Sequence, residues 1–287
     1  MSWTRFASFT RTAETSARGA RRHTARGHSA KFLVTHRALL WRVTRNELKS
    51  RYAGSVFGMG WAVLTPLLLL GIYAVVYLVV LRVEVPGLSP VQYVLLIFAG
   101  LVPFLMTAEA LTLGVTAVVA NRSVLNNTVF PIDLAPAKSV LLAQMPMVVG
   151  LMTILVALGL TGTISWAVLL LPVVWGLHVI ALIGLTWILS LVNLVFRDLQ
   201  NLIGLVLLVL MVVSPIVYTM DMVPPRLRPL VTLNPFAYFV TAYQAIVVFG
   251  RLPSWPHCLA LVAMSVGIFA FGSYFFASAK RVLIDYV

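Results

Sequence analysis

Two ionisable side chains, Glu109 and His178, lie inside long apolar stretches of this sequence. Burying a charge in a lipid bilayer costs at least a few kcal/mol, so both residues require an explanation. Together they could form a proton relay. We favour a simpler interpretation, in which Glu109 is neutral or hydrogen-bonded among neighbouring threonines and His178 finds a partner across a helix interface. The same polar side chains could instead line a water-filled path.

Arrangements that support enzymatic chemistry are otherwise missing from the sequence. The 8 acidic residues are scattered without a close pair, no Gly-Lys dipeptide occurs, and Cys258 is the single cysteine. These features exclude paired catalytic carboxylates, a P-loop that hydrolyses ATP, an internal disulfide and a Cys/His metal site. We therefore expect no catalytic residue, no metal and no cofactor bound by this chain.

The composition indicates the surroundings of the chain. Of its 287 residues, 61% are hydrophobic and only 10% are charged, with a mean hydropathy of +0.99. A soluble domain has about 25% charged residues, so this chain must present apolar surface to a lipid bilayer. We predict an all-α membrane protein whose membrane domain, residues 61–287, has six transmembrane helices. The six apolar stretches are residues 62–82, 92–117, 134–158, 166–192, 199–220 and 257–278.

The distribution of cations predicts the orientation. With the N-terminus on the inner side, 17 of the 21 Lys and Arg residues lie on that side and four lie on the outer side. Cytoplasmic loops carry an excess of Lys and Arg, so both termini are predicted to be cytoplasmic.

The N-terminal region divides into two segments. Residues 1–31 are predicted to be a flexible basic tail on anionic lipid headgroups, with a nucleic-acid-binding arm and a transit peptide as alternatives. Residues 32–60 are predicted to hold an amphipathic interfacial helix, in which aromatic residues form a stripe flanked by cations. The alternative is a polar helix that simply precedes the first span. The predicted interfacial residues are Trp41, Arg42, Arg45, Lys49, Arg51 and Tyr52.

Two inner connections have features that suit interaction. Residues 121–133 combine aromatic and aliphatic side chains with one cation, which suits insertion into a groove of a cytoplasmic partner. Arg197 and Asp198 follow the fourth span, where an Arg–carboxylate pair could fasten a helix end at the inner surface. The loop residues predicted to contact the partner are Asn121, Arg122, Leu125, Val129, Phe130 and Pro131.

The outer connection between the fifth and sixth spans, residues 221–256, is unusually long. It contains several prolines and an amphipathic run over residues 236–249. Because it is too short and broken to cross the membrane twice, we predict a re-entrant outer helical hairpin shielded by protein. The alternative is an interfacial helix resting on the outer leaflet.

Several separated motifs occur in one order along the chain. They are Arg45–Trp61, Ala99–Pro103, Asn121–Pro131, Phe196–Asp198, Ser214–Tyr218 and Asn234–Pro235. With these motifs the sequence resembles the membrane subunits of ABC transporters of the type-2 permease family. It is most similar to the polysaccharide-export branch, which moves O-antigen, teichoic acid, capsular or galactan chains. The resemblance covers most of residues 37–287.

This resemblance implies a homodimer of six-span subunits in a bacterial cytoplasmic membrane, bound to two copies of a separate nucleotide-binding ATPase that holds ATP and Mg. The surface helix, about residues 34–56, and the 121–131 loop would dock on that ATPase and transmit its closure. The outer segment, residues 221–250, would gate the path of a lipid-linked polysaccharide, and no nucleic acid is expected as a partner. The aromatic residues that would guide sugar rings are Tyr218, Phe236, Tyr238 and Tyr243.

Three alternatives remain open. Within the same family, the cargo could be a drug or a small lipid. A proton-coupled secondary transporter would instead use Glu109 and His178 and would work without an ATPase. An intramembrane enzyme acting on a polyprenyl-linked sugar is the third, and the lack of paired carboxylates counts against it.

Overall fold

The computed structural model describes residues 33–83, 85, 87–121 and 131–284, and their side chains as far as residue 279. Regular secondary structure in this part of the chain is entirely helical, which confirms the all-α prediction there. Ten α-helices are present among these residues. They are α1 (Arg37–Arg51), α2 (Trp61–Val75), α3 (Pro90–Ala120), α4 (Leu134–Leu142), α5 (Gln144–Thr161), α6 (Leu171–Val195), α7 (Leu199–Val213), α8 (Arg228–Thr232), α9 (Pro235–Val247) and α10 (Trp255–Ile284).

Five helical segments in the described residues are long and apolar enough to cross a membrane. They are Gly58–Val80, Pro90–Ala120, Leu134–Thr161, Trp166–Val195 and Trp255–Ala279. The fifth predicted span, residues 199–220, is the one without such a segment; it corresponds to α7, which has only 15 residues and is about 22 Å long. Helix α7 ends early because Ser214 precedes Pro215, a position where the helical backbone is disfavoured, and Ser214 is extended with ψ 139°.

Helix α3 lies at the centre of the bundle. The Ser89 side chain accepts a hydrogen bond from the Gln92 backbone N–H, the Gln92 side chain accepts one from the Ser89 N–H, and Pro90 occupies the first turn. This capping box fixes where the helix begins. Most residues of α3 are buried, and the helix packs against α4, α5, α6, α7 and α9.

The third span is interrupted at Ala143, between α4 and α5. Pro146 has no backbone N–H to donate to Leu142 four residues earlier, so the helical hydrogen bonding is broken at this point. The interruption allows α4 to pack against α1, α3 and α6, while α5 packs against α2 and α3. Eight of the nine residues of α4 are buried.

Helices α6 and α10 cross at very short range. A Cβ atom added to Gly184 of α6 would lie 2.5 Å from the carbonyl oxygen of Ile268 and 2.6 Å from Cα of Phe269, both on α10. On α10, Gly272 faces the backbone of Gly184. Small residues that let two backbones approach are a common basis of helix packing in membranes.

Between α7 and α10 the chain forms the short helix α8 and then α9. The side chain of Asn234 accepts a hydrogen bond from the backbone N–H of Phe236, and Pro235 is the first residue of α9. Both features are typical of a helix start. Helix α9 packs against α3, α6 and α10, and eight of its 13 residues are buried.

Candidate functional site

Helix α1 packs on the bundle through a stripe next to the aromatic stripe that was predicted to face the membrane. Leu40 and Thr44 are buried, and Leu40 lies against Leu134 and Ala137 of α4. These positions are one residue, or roughly 100°, away from the aromatic stripe that contains Trp41. The basic and aromatic face therefore stays largely exposed, and Tyr52 is partly buried. The predicted interfacial residues that remain exposed are Trp41, Arg42, Arg45, Lys49 and Arg51.

A buried lysine joins α1 to the C-terminal end of α3. The side chain of Lys138 on α4 is only 4% exposed, and its Nζ lies 2.5 Å from Oε2 of Glu47 on α1. The same Nζ donates a hydrogen bond of 2.9 Å to Oδ1 of Asn121, the C-cap residue of α3. Because a buried ammonium group is costly without acceptors, both contacts are needed. Lys138 thus connects the surface helix, α4 and the start of the 121–131 loop.

A second ion pair, between Arg51 and Glu109, fastens α1 to the middle of α3. Partial burial tends to lower the pKa of Arg51, but the hydrogen bond to Glu109 and its negative charge, together with the neighbouring Tyr52, outweigh burial and raise the pKa above its ordinary value. The pair borders a cavity of about 450 Å³ that is otherwise lined mainly by apolar residues of α2, α3 and α5. Glu109 is therefore hydrogen-bonded, as expected, but by an arginine and not by its neighbouring threonines, which bond backbone carbonyls.

The two ends of the predicted partner-contact loop lie in the described part of the chain. The Nδ2 group of Asn121 donates a 2.7 Å hydrogen bond to the carbonyl oxygen of Ala117. The carbonyl oxygen of Pro131 accepts a 3.0 Å hydrogen bond from the backbone N–H of Leu134, at the start of α4. These contacts anchor the loop on α3 and α4. The predicted tail, residues 1–31, and four loop residues lie outside the described residues: Arg122, Leu125, Val129 and Phe130.

Arg197 and Asp198 are both exposed at the turn between α6 and α7. In the described structure they form no ion pair with each other. Asp198 is instead the N-cap residue of α7, where its backbone carbonyl accepts hydrogen bonds from the N–H groups of Asn201 and Leu202. The turn is therefore closed by backbone contacts.

His178 of α6 is buried where α3, α6 and α9 meet. Its Nε2 lies 2.9 Å from Oγ1 of Thr107, and its ring stacks on Phe239 of α9 with ring centroids 4.0 Å apart. The sequence predicted this kind of partner across a helix interface. Glu109 lies on the opposite side of α3 from Thr107, since residues two positions apart on a helix point roughly 200° apart. Glu109 and His178 therefore have separate partners and do not face each other.

The four aromatic residues predicted to guide sugar rings have different environments. Tyr243 is fully buried, and its hydroxyl has no hydrogen-bond partner among the described residues. Phe236 packs against the core and is partly buried. The Tyr218 hydroxyl donates a 2.7 Å hydrogen bond to the carbonyl oxygen of Val213 at the end of α7, and its ring borders a cavity of about 310 Å³. Tyr238 lines a second cavity, between α9 and α10.

Polar contacts hold the segment between α7 and α8 against the bundle. The side-chain Nε2 of Gln244, on α9, donates a 2.7 Å hydrogen bond to the carbonyl oxygen of Pro215. The hydroxyl of Tyr93, on α3, donates a 3.0 Å hydrogen bond to the carbonyl oxygen of Val217. Both carbonyls lie in the irregular stretch that follows α7. Backbone groups in such a stretch have no partners within a helix and need hydrogen bonds from other elements. The segment between α7 and α8 is therefore tied to two different helices, α9 and α3.

Sequence reasoning missed Glu47, Lys138 and Gln244 as structural contacts. The available signal was a lysine near the start of an otherwise apolar span, since a charge in such a position usually has a buried partner. No pattern in the sequence identified Glu47 as that partner, because it lies on a separate element.

The fold is that of a multi-pass α-helical membrane protein. It consists of a bundle of apolar helices, a surface helix that two ion pairs fasten to this bundle, and a buried segment before α10. The model of the ABC-2 type transporter family matches residues 38–248. The chain is 30% identical over 226 residues to the O-antigen export system permease protein RfbA of Klebsiella pneumoniae, covering 75% of this chain and 82% of that relative. A protein of the same name from Myxococcus xanthus is 31% identical over 254 residues, covering 87% of this chain and 95% of that relative. The chain belongs to the ABC-2 type transporter family, which confirms the resemblance read from the sequence motifs.

Proposed function

We propose that this protein is the membrane-spanning subunit of an ABC exporter that moves a lipid-linked polysaccharide across a bacterial cytoplasmic membrane. ATP is hydrolysed on a separate nucleotide-binding subunit, which holds the ATP and Mg, while this chain binds no cofactor. Two copies of the chain form the conduit and bind two copies of the ATPase. Two relatives named as O-antigen export permeases support this class of cargo, since the similarity extends over most of each chain.

The proposed topology has six crossings with both termini in the cytoplasm. Helix α7 is the fifth crossing, and the distribution of cations supports the orientation. Helices α8 and α9 form the re-entrant outer segment. The burial of α9 among α3, α6 and α10 supports this arrangement over an interfacial helix, because a helix on the outer leaflet would bury only one apolar face.

The double attachment of α1 to the bundle is the observation that carries the coupling mechanism. An ATPase can move the spans only through contacts that differ in free energy between two conformations. Helix α1 is paired with α4 through Glu47 and Lys138, and with α3 through Arg51 and Glu109. A displacement of α1 by the ATPase is therefore passed to both helices. The 121–131 loop begins at the same polar contact, through Asn121.

The aromatic residues contribute to the cargo path in two ways. Tyr218 and Tyr238 border cavities, and we assign them the direct contacts with sugar rings. Phe236 is partly buried against the bundle, whereas Tyr243 is fully buried and would be reached by cargo only if α9 moves. Many weak, non-specific contacts of this kind suit the passage of a repetitive chain.

Reconstitution tests the proposal. Proteoliposomes that contain this chain with its nucleotide-binding subunit are expected to move a fluorescent lipid-linked glycan only with ATP and Mg present. The chain alone is expected to be inactive. Transport by the chain alone down a pH gradient would overturn the proposal in favour of a proton-coupled transporter. Transport of a drug or small lipid in place of the glycan would support the alternative cargo within the family.

Two loop variants test docking on the ATPase. Phe130→Ala and Arg122→Glu are expected to uncouple ATP hydrolysis from export while leaving the protein inserted in the membrane. Export at the unaltered rate by both variants would contradict the docking role of the 121–131 loop.

The proton-coupled alternative finds little support in the geometry. A relay requires the two ionisable groups to exchange protons directly or through water. Glu109 is paired with Arg51, whereas His178 is buried against Thr107 and Phe239 on the other side of α3.

A further inference from the structure

A cavity of about 410 Å³ opens between α8, α9 and the start of α10. Its volume lies within the range of about 300–1,000 Å³ that is typical of small-ligand sites. No Asp, Glu, Lys or Arg is among the described residues that line it. The polar lining residues are Thr232, Tyr238, Thr241, Ser254 and His257.

The hydrogen bonds within the cavity wall leave several groups available to a ligand. The hydroxyls of Thr232 and Thr241 donate to backbone carbonyls of their own helices at 3.0 and 2.8 Å, so their oxygens can still accept, although Oγ1 of Thr241 also lies 3.4 Å from Nε2 of His257. Nε2 of His257 donates a 2.8 Å hydrogen bond to the backbone carbonyl of Tyr238, because a carbonyl can only accept, and Nδ1 of the neutral ring is then an acceptor. The hydroxyls of Tyr238 and Ser254 have no hydrogen-bond partner in the described part of the chain.

The shape of the wall also suits a flat, amphipathic ring. The rings of Tyr238 and His257 lie side by side, with centroids 5.1 Å apart and planes tilted by 36°. Small apolar residues, including Ala237 and Ala260, complete the cavity. An aromatic wall contacts the C–H face of a sugar, while surrounding hydroxyl and imidazole groups bond its hydroxyls.

The same features exclude other occupants. A phosphate or a uronic acid would need a cation or a cluster of donors, and the described lining holds no Lys or Arg. An acyl chain would leave the hydroxyls of Tyr238 and Ser254 without hydrogen-bond partners. We propose that this cavity is a binding subsite for an uncharged sugar residue of the exported glycan. The inference rests on the proposed function and adds Thr232, Thr241, Ser254 and His257 to the cargo path.

Thiol accessibility provides a direct test of occupancy, because the chain has a single cysteine. In a Cys258→Ser background, Ser254→Cys places a thiol in the cavity wall with little change in shape. A charged, water-soluble thiol reagent is applied to proteoliposomes of the complete complex, with and without methyl glycosides of glucose, galactose, mannose or N-acetylglucosamine. At least one neutral glycoside is expected to slow labelling about threefold or more, whereas methyl glucuronide is expected to have no effect. Thr163→Cys, at an exposed loop position, is the control whose labelling should not change.

Three outcomes of this measurement would overturn the proposal. Labelling that no neutral glycoside slows would show that the cavity does not bind sugar. Equal protection by methyl glucuronide would show that it does not select uncharged rings. A complete lack of labelling of Ser254→Cys, with normal labelling of the control, would show that lipid or a second copy of the chain covers the cavity.

Export kinetics test the same subsite in the intact transporter. Thr241→Val and Tyr238→Phe each remove one hydroxyl and keep the side-chain shape, so each is expected to raise the glycan concentration for half-maximal export about two- to tenfold. Thr153→Val on α5 is the matched control, because its hydroxyl makes the same kind of 2.9 Å bond to the carbonyl four residues earlier but lies outside the cavity. Copurification of the ATPase verifies assembly of each variant.

The outcomes separate the two levels of inference. If the wild-type complex moves no glycan, the proposed function itself fails. If the wild-type complex exports glycan and both cavity variants behave like Thr153→Val, only the subsite is refuted.

Discussion

The close crossing of α6 and α10 predicts that one methyl group at Gly184 destabilises the folded bundle. A Cβ there would lie 2.5 Å from the Ile268 carbonyl oxygen, whereas ordinary van der Waals contact begins at 3.4 Å. The helices would have to separate by about 0.9 Å (3.4 − 2.5 Å) to accept alanine. The nearest atoms belong to the backbone of α10, so no side-chain rotation can relieve the clash. Overpacking of this kind costs about 1–3 kcal/mol.

A matched glycine on the same helix provides the control. An added Cβ at Gly176 meets no atom within 4 Å, and alanine is the better helix former by up to about 1 kcal/mol. Because both substitutions gain the same helix propensity, the free energies of unfolding of Gly184→Ala and Gly176→Ala should differ by the overpacking cost alone, about 1–3 kcal/mol. Unfolding is measured by titration with a denaturing detergent and followed by tryptophan fluorescence, to which Trp187 contributes through its contact with Phe269, 5.4 Å between centroids. Equal stability of the two variants would refute the reasoning.

Three further predictions concern polar contacts. Glu47→Gln should lower the free energy of unfolding by about 1–2 kcal/mol, because Lys138 loses its charged partner, although the 45% exposure of the Glu47 side chain limits the effect. Adding Lys138→Met to this variant should recover stability, because it removes the unpaired buried charge. If stability is not recovered, the ion pair between Glu47 and Lys138 is contradicted. For Arg51 and Glu109, about a third and a quarter exposed, a double-mutant cycle should give a coupling energy of about 0.5–1 kcal/mol, and zero coupling would contradict the ion pair. Gln244→Leu should accelerate amide hydrogen exchange between α7 and α8 about two- to tenfold, whereas an unchanged rate would show that this contact does not hold the segment.

The long helices were predictable because apolar length is a property of the sequence alone. The predicted spans 92–117 and 166–192 lie within Pro90–Ala120 and Trp166–Val195. The predicted end of the fifth span was placed too late, because apolar residues continue past Ser214 while the backbone leaves the helix there. Hydropathy measures the cost of contact with lipid and carries no information on backbone geometry before a proline.

The contacts of the candidate site were harder to predict, because they depend on which elements meet. The helical wheel of α1 placed Trp41 on an aromatic stripe in the acyl boundary of the membrane and named no packing partner for the helix in the bundle. In the structure the neighbouring Leu40 stripe is buried, since α4 lies on that side. Likewise, the pairing of Glu47 with Lys138 joins two elements without a shared local pattern. Binary patterning shows how much of a helix is apolar but does not identify its neighbour.

The central position of α3 has a consequence for biogenesis. Most of the packing partners of this helix, namely α4, α5, α6, α7 and α9, are translated after it. Thr107, for example, meets His178 only once α6 has been inserted. Nascent chains that stop before α6 therefore expose to lipid the part of α3 that later packs against α6, α7 and α9.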